Sequence, residues 1–280
     1  MVTVPMPLAR DHEFLKPLWQ FRYLLRAPHR VAFFMGAVML GASALWWAGV
    51  LLVRALQWPW NPVVPASLMH ALVFGLSYMP LFFCGFLYTA GPKWLKQPAV
   101  SARSLLPALA LLMTGWIVTW IGMHWQSHVA ALGMALVALG WAALCLRFVR
   151  MVWRSRVQDR MHMALVSAAC LMGLGVMVAL AVALALHLTL LLRTCIQLGI
   201  WWFMAPVFAV VSHRMIPFFN ANLIPFLDAW RPNWLLTVIL GVLLLEGVSS
   251  TVDLWWHPLP QVMRWLQASL EAPLALLMLG

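Results

Sequence analysis

The chain has 280 residues, 64% hydrophobic and only 9% charged, with a mean hydropathy of +0.90. A soluble domain carries about 25% charged residues, so this composition excludes a soluble globular enzyme and indicates a polytopic membrane protein. The net charge of +11 does not mark a nucleic-acid binder, because the basic residues are scattered through short loops between apolar runs, where they set topology beside anionic lipid.

Residues 1–30 are polar and basic, with Arg10, Lys16, Arg22, Arg26 and Arg30. They lack the apolar stretch of a cleavable signal peptide and read as a cytoplasmic segment ahead of a single transmembrane domain, residues 31–280. A span needs about 20 apolar residues. Runs of that kind fall at 31–53, 67–91, 104–122, 129–148, 162–186, 190–212 and 233–250. A less regular apolar segment, interrupted by Glu271 and Pro273, runs from about 265. The expected fold is an all-α bundle of seven or eight spans. Within it, residues 162–212 are too long for one crossing, so a tight turn is expected at His187-Leu188-Thr189, although no Gly or Pro marks it. Gly91-Pro92 and Pro217 are expected to stop their helices.

Lys and Arg orient the bundle. Fifteen fall in the N-terminal segment and in loops on its side of the membrane, against Arg54, Arg193 and Arg264 on the other, so the N-terminus is expected in the cytoplasm. Trp58, Trp60, Trp94, Trp125 and Trp255 sit at span ends, as interfacial aromatics do. Cys84, Cys145, Cys170 and Cys195 all lie in apolar runs with no C-x-x-C spacing, which reads as small buried hydrophobes.

Depth sorts the nine histidines. His70, His124, His128, His187 and His257 fall near the outer face; His12, His29, His162 and His213 fall near the inner one. With a hydrocarbon core of ~30 Å, His70 and His213 cannot serve one metal. An imidazole at the mouth of a span is costly without a partner, which makes His70 a candidate ligand for haem iron or copper. His187 is a second candidate in the same layer, and His213, with His162, is a candidate at the inner face. Arg193 is placed to pair with Glu246, the one acid inside a clear span, or to meet a haem propionate. His124 and His128 have the i, i+4 spacing that would put both on one helix face. Each of these residues also has a plain structural reading as a hydrogen-bonded, snorkelling or ion-paired side chain. No nucleophile triad, Walker loop, dinucleotide fingerprint or H-E-x-x-H motif is present.

Two blocks carry a family resemblance. The first holds His70, Phe74-Gly75, Gly85-Phe86-Leu87, Thr89-Ala90, Pro92 and Trp94; the second is His213-Arg214-Met215-Ile216-Pro217-Phe218-Phe219. Together they resemble the NnrS family of bacterial membrane proteins. The resemblance implies a multi-pass inner-membrane protein that contains haem, with copper as a further option, and acts in the response to nitric oxide and nitrosative stress alongside a redox partner. It implies ligand roles for His70 and His213. The family's histidine- and glutamate-bearing stretch before Phe74 reads Leu68-Met69-His70-Ala71-Leu72 in this chain, so one histidine and the glutamate are missing. Two other classes stay open: a cofactor-free transporter of small solutes or metals, with Gly75, Pro80 and Gly85 hinting at a broken helix, and a structural subunit of a membrane complex.

Overall fold

A computed structural model of the chain describes residues 20–220, 232–256 and 261–279. Among these residues all regular structure is helical, and seven segments are long and apolar enough to cross a membrane. The chain is a multi-pass helical bundle. Arg10, His12, Lys16, Arg231 and His257 lie outside the described residues.

The first span is α1, Pro28–Ala55, which begins on a proline whose missing N–H is no loss in a first helical turn. The second is interrupted: α2 runs over Ala66–Leu76 and α3 over Met79–Trp94. The break at Ser77-Tyr78 has a local cause. Pro80 has no N–H for the Leu76 carbonyl, and its ring crowds the preceding turn. After a short 3-10 turn, Ala102–Leu105, come α4, Leu106–Trp125, and α5, Ser127–Arg154. Only Gln126, in an extended conformation, separates them. The fifth span is α6, Met161–Ala185. The sixth is compound: α7, Thr189–Leu198, a π-helical turn, Gly199–Met204, and α8, Ala205–Asn220. It is followed by α9, Asn233–Trp255, and α10, Gln261–Leu279.

The turn expected at His187 is there, and His187 itself supplies the left-handed conformation, with φ 55°. Histidine is among the side chains that tolerate this region in place of glycine. The two prolines expected to stop helices do not. Pro92 lies inside α3 and Pro217 inside α8. Both are close to a helix end, so each removes a single backbone hydrogen bond and the last residues still complete their turn.

Lipid tails provide no hydrophobic force between helices, so close backbone packing has to hold them. The α4–α5 hairpin is built that way. A Cβ on Gly115 would lie 2.5 Å from the backbone N of Val137, and one on Gly140 would lie 2.7 Å from that of Leu112. Around this seam Trp116 and Trp141 are fully buried. The Trp141 indole N–H donates to the Cys170 carbonyl at 3.0 Å, which ties α5 to α6, and the Tyr88 hydroxyl donates to the Leu144 carbonyl, which ties α3 to α5. All four cysteines are buried and free.

The two interrupted spans touch each other. Gly199, which opens the π-helical turn, packs on Leu76 at the end of α2, and Phe203 from the same turn meets Phe83 of α3 with ring centroids 5.9 Å apart. One end of the bundle carries the Lys- and Arg-rich loops around 93–103 and 147–160; it is called the basic end below.

Candidate functional site

At the basic end the first turn of α6 and the lower half of α8 bring His162 and His213 together. The Nε2 of His162 and the Nδ1 of His213 are 3.0 Å apart, and the rings stack at 24°. Their partners assign the tautomers. The Nε2 of His213 faces the Pro232 carbonyl at 3.3 Å, which can only accept, so this nitrogen carries hydrogen. The Nδ1 of His213 therefore accepts from the Nε2–H of His162. Arg214, next in chain, bonds Asp159 at 3.7 Å and lies over the Trp94 ring at 4.8 Å. Residues from both sequence blocks, Trp94 and His213-Arg214, thus form one cluster.

The far end is aromatic. His70 of α2 stacks on Trp47 of α1, centroids 4.1 Å apart at 17°, and also contacts Phe74. Arg54 lies over the other partner of this stack, Trp47, at 5.5 Å. The Nδ1 of His70 is buried with no hydrogen-bond partner. The neighbouring Trp46 reaches a different histidine. Its indole N–H donates to the Nε2 of His124 at 3.1 Å, and the Nδ1–H of His124 donates to the Trp120 carbonyl at 2.8 Å. Both nitrogens of His124 are spent on protein partners, so it is a structural histidine. Trp46, Trp58, Trp60 and His124 wall a cavity of about 450 Å³ that opens to the outside of the bundle. The expectations from sequence missed Trp46 and Trp47; the signal was a Trp pair about two turns from the end of the first span.

Two pairings left open by the sequence are not made. His124 and His128 do not share a helix face, because the extended Gln126 ends α4 and His128 lies in the first turn of α5. His128 instead meets His187, ring centroids 5.4 Å apart at 82°. Arg193 does not pair with Glu246. The Glu246 carboxylate accepts from the side-chain amide of Gln267 on α10, while Arg193 is exposed on α7. Among the described residues no hydrogen bond or ring contact joins His70 to His187 or Arg193.

Donor geometry decides what each place suits. Imidazole–metal bonds of about 2.0–2.1 Å would hold two axial ligands about 4 Å apart on either side of a haem iron. The 3.0 Å separation at His162 and His213 is too short for that and suits neighbouring positions on one small ion such as copper. His70 offers a single nitrogen, buried and unspent, on a ring shielded by Trp47. Such a nitrogen could give a bound metal one ligand from this chain. Among the described residues no three His, Cys, Asp or Glu side chains converge.

No curated protein and no solved structure matches this chain. The family model described as NnrS protein matches residues 23–280, a stretch that includes the His162–His213 pair, His70 and every described span. The chain belongs to the NnrS family.

Proposed function

We propose that this protein is a bacterial inner-membrane metal protein of the nitric oxide response, with copper between His162 and His213 and haem on His70. The observation that carries the reading is the 3.0 Å approach of the two imidazole nitrogens, contributed by helices 51 residues apart. Two stacked rings at that separation are poised to trade one shared hydrogen for one shared ion. The Pro232 carbonyl fixes the ring of His213 through its other nitrogen, as outer partners of metal-bound histidines do. At the far end the buried Nδ1 of His70 is a donor with nothing else to do, and Trp47 holds the ring in place. Arg193 is free to meet an anionic propionate, whereas His187 is turned toward His128 and drops out of the haem site. When bound, haem and copper supply nitric oxide binding and one-electron redox chemistry; the chain's own residues hold them in two layers and keep the basic end charged for a redox partner.

The test is an absorption spectrum and metal analysis of the purified protein, oxidised and reduced, with and without nitric oxide. The wild type should show a Soret band that shifts on reduction and on adding nitric oxide, together with copper. His70→Ala should remove the Soret band and keep copper; His213→Ala should do the reverse. A folded, colourless and metal-free wild type would overturn the reading.

One observation favours a second reading, a transporter. The break at Ser77 and the π-helical turn at Gly199 meet inside the bundle, and the fully buried Ser77 hydroxyl has no hydrogen-bond partner. Interrupted helices that meet at depth are a common way to build a solute site. Solute or metal flux into proteoliposomes by a cofactor-free protein would put this reading first.

A further inference from the structure

The basic face of the α4–α5 hairpin carries a groove that none of the centres above uses. Its volume is about 340 Å³. Pro107, Ala108 and Leu111 form one wall and Ala143 and Leu144 the other. Pro107 and Leu111, like Ala143 and Arg147, are one helical turn apart, so the groove runs along both helices. It is open because Ala108 and Ala143 are small where larger side chains would close it.

At the basic end the apolar walls give way to Arg147. Its Nη1 donates to the Ser104 carbonyl at 3.1 Å, which holds the guanidinium over the mouth. The remaining donors of the fork stay available, and a planar fork suits a phosphate. Arg150 follows one turn later on α5 and Arg103 precedes Ser104; both are exposed. No carboxylate lines the groove. The cavity at Trp46 and the one between α6, α8 and α9 have no Lys or Arg in their walls.

We propose that the groove binds one anionic phospholipid, with the headgroup phosphate on Arg147 and an acyl chain against Pro107, Leu111 and Ala143. A cation at the membrane surface joined to an apolar channel between spans is complementary to such a lipid, and to neither a soluble anion nor an uncharged tail alone. The site pins the α4–α5 hairpin to the anionic leaflet at the basic end.

Native mass spectrometry of the full chain in detergent tests this with palmitoyl-oleoyl phosphatidylglycerol and the matching phosphatidylcholine. At equal concentration the first phosphatidylglycerol adduct should be favoured by about fivefold, the effect of one well-placed basic residue. Arg147→Gln should erase the preference. Ala143→Phe fills the groove and keeps the charge, and should weaken binding of both lipids. Arg156→Gln removes one charge from the exposed α5–α6 connection and should leave the preference unchanged, and glycerol phosphate should not displace the lipid. A preference that survives Arg147→Gln, or that falls equally in Arg156→Gln, would overturn the proposal, as would displacement by glycerol phosphate. Melting curves of each variant separate lost binding from lost fold.

Discussion

Arg214 lies 4.8 Å over the ring of Trp94, although α3 and α8 are far apart in sequence. Arg214 also bonds Asp159, so one guanidinium ties three stretches of chain at the membrane surface. Only 18% of the Arg214 side chain is exposed, whereas Asp159 is 70% exposed, so water screens the ion pair and the contact with Trp94 is the drier of the two. The arrangement places its neighbour His213 against His162 and makes Trp94 a positioning residue for that pair.

Replacing Trp94 by Leu should lower stability by about 0.5–2 kcal/mol, the range for a cation over an aromatic face. Trp94→Phe should recover part of the loss. In a double-mutant cycle with Arg214→Gln the two changes should be less than additive. Melting midpoints in one detergent measure this, and strict additivity would show that the ring and the guanidinium do not interact.

His124 should behave as structure and not as a ligand. Both its nitrogens are satisfied, by Trp46 and by the Trp120 carbonyl. His124→Phe leaves the indole N–H of Trp46 without its acceptor and should cost about 1–2 kcal/mol. Metal and haem content should match the wild type. A loss of metal with unchanged stability would assign the residue the opposite role.

Gly115 allows α4 and α5 to touch backbone to backbone, with no room for a Cβ beside Val137. Gly115→Val should therefore destabilise the hairpin by at least the roughly 1–3 kcal/mol of an overpacked core. Gly41, whose Cβ would meet nothing within 4 Å, is the control: Gly41→Ala should be silent or mildly stabilising. Gel-filtration profiles after heating distinguish the two, and equal behaviour would contradict the packing described.

Arg193 and Glu246 should act independently. Glu246 is engaged by the side-chain amide of Gln267 from α10, and Arg193 is exposed on α7. The pair Arg193→Gln and Glu246→Gln should be additive within about 0.5 kcal/mol, while Glu246→Ala and Gln267→Ala should show coupling above that. Coupling between Arg193 and Glu246 would restore the ion pair expected from sequence.

How far the sequence reaches is clearest at these residues. Apolar runs of the required length located the seven spans among the described residues, because a helix that crosses lipid satisfies its own backbone and needs only an apolar surface of sufficient length. The same runs put His162 and His213 in one layer, and the structure joins them because both sit at the basic ends of their helices. The helix stops at Pro92 and Pro217 were misplaced, since a proline near a helix end forfeits only one hydrogen bond. What sequence could not supply was rotation about the helix axes and the choice of neighbours. Arg193 and Glu246 were placed at compatible depth, yet Glu246 turns to Gln267 and Arg193 is exposed. His124 and His128, four residues apart, are sent to Trp46 and His187 by the single extended residue Gln126. Depth is written in the chain because lipid reads each helix alone; partnership is decided only when glycine seams, the π-helical turn and the break at Ser77 fix which faces meet.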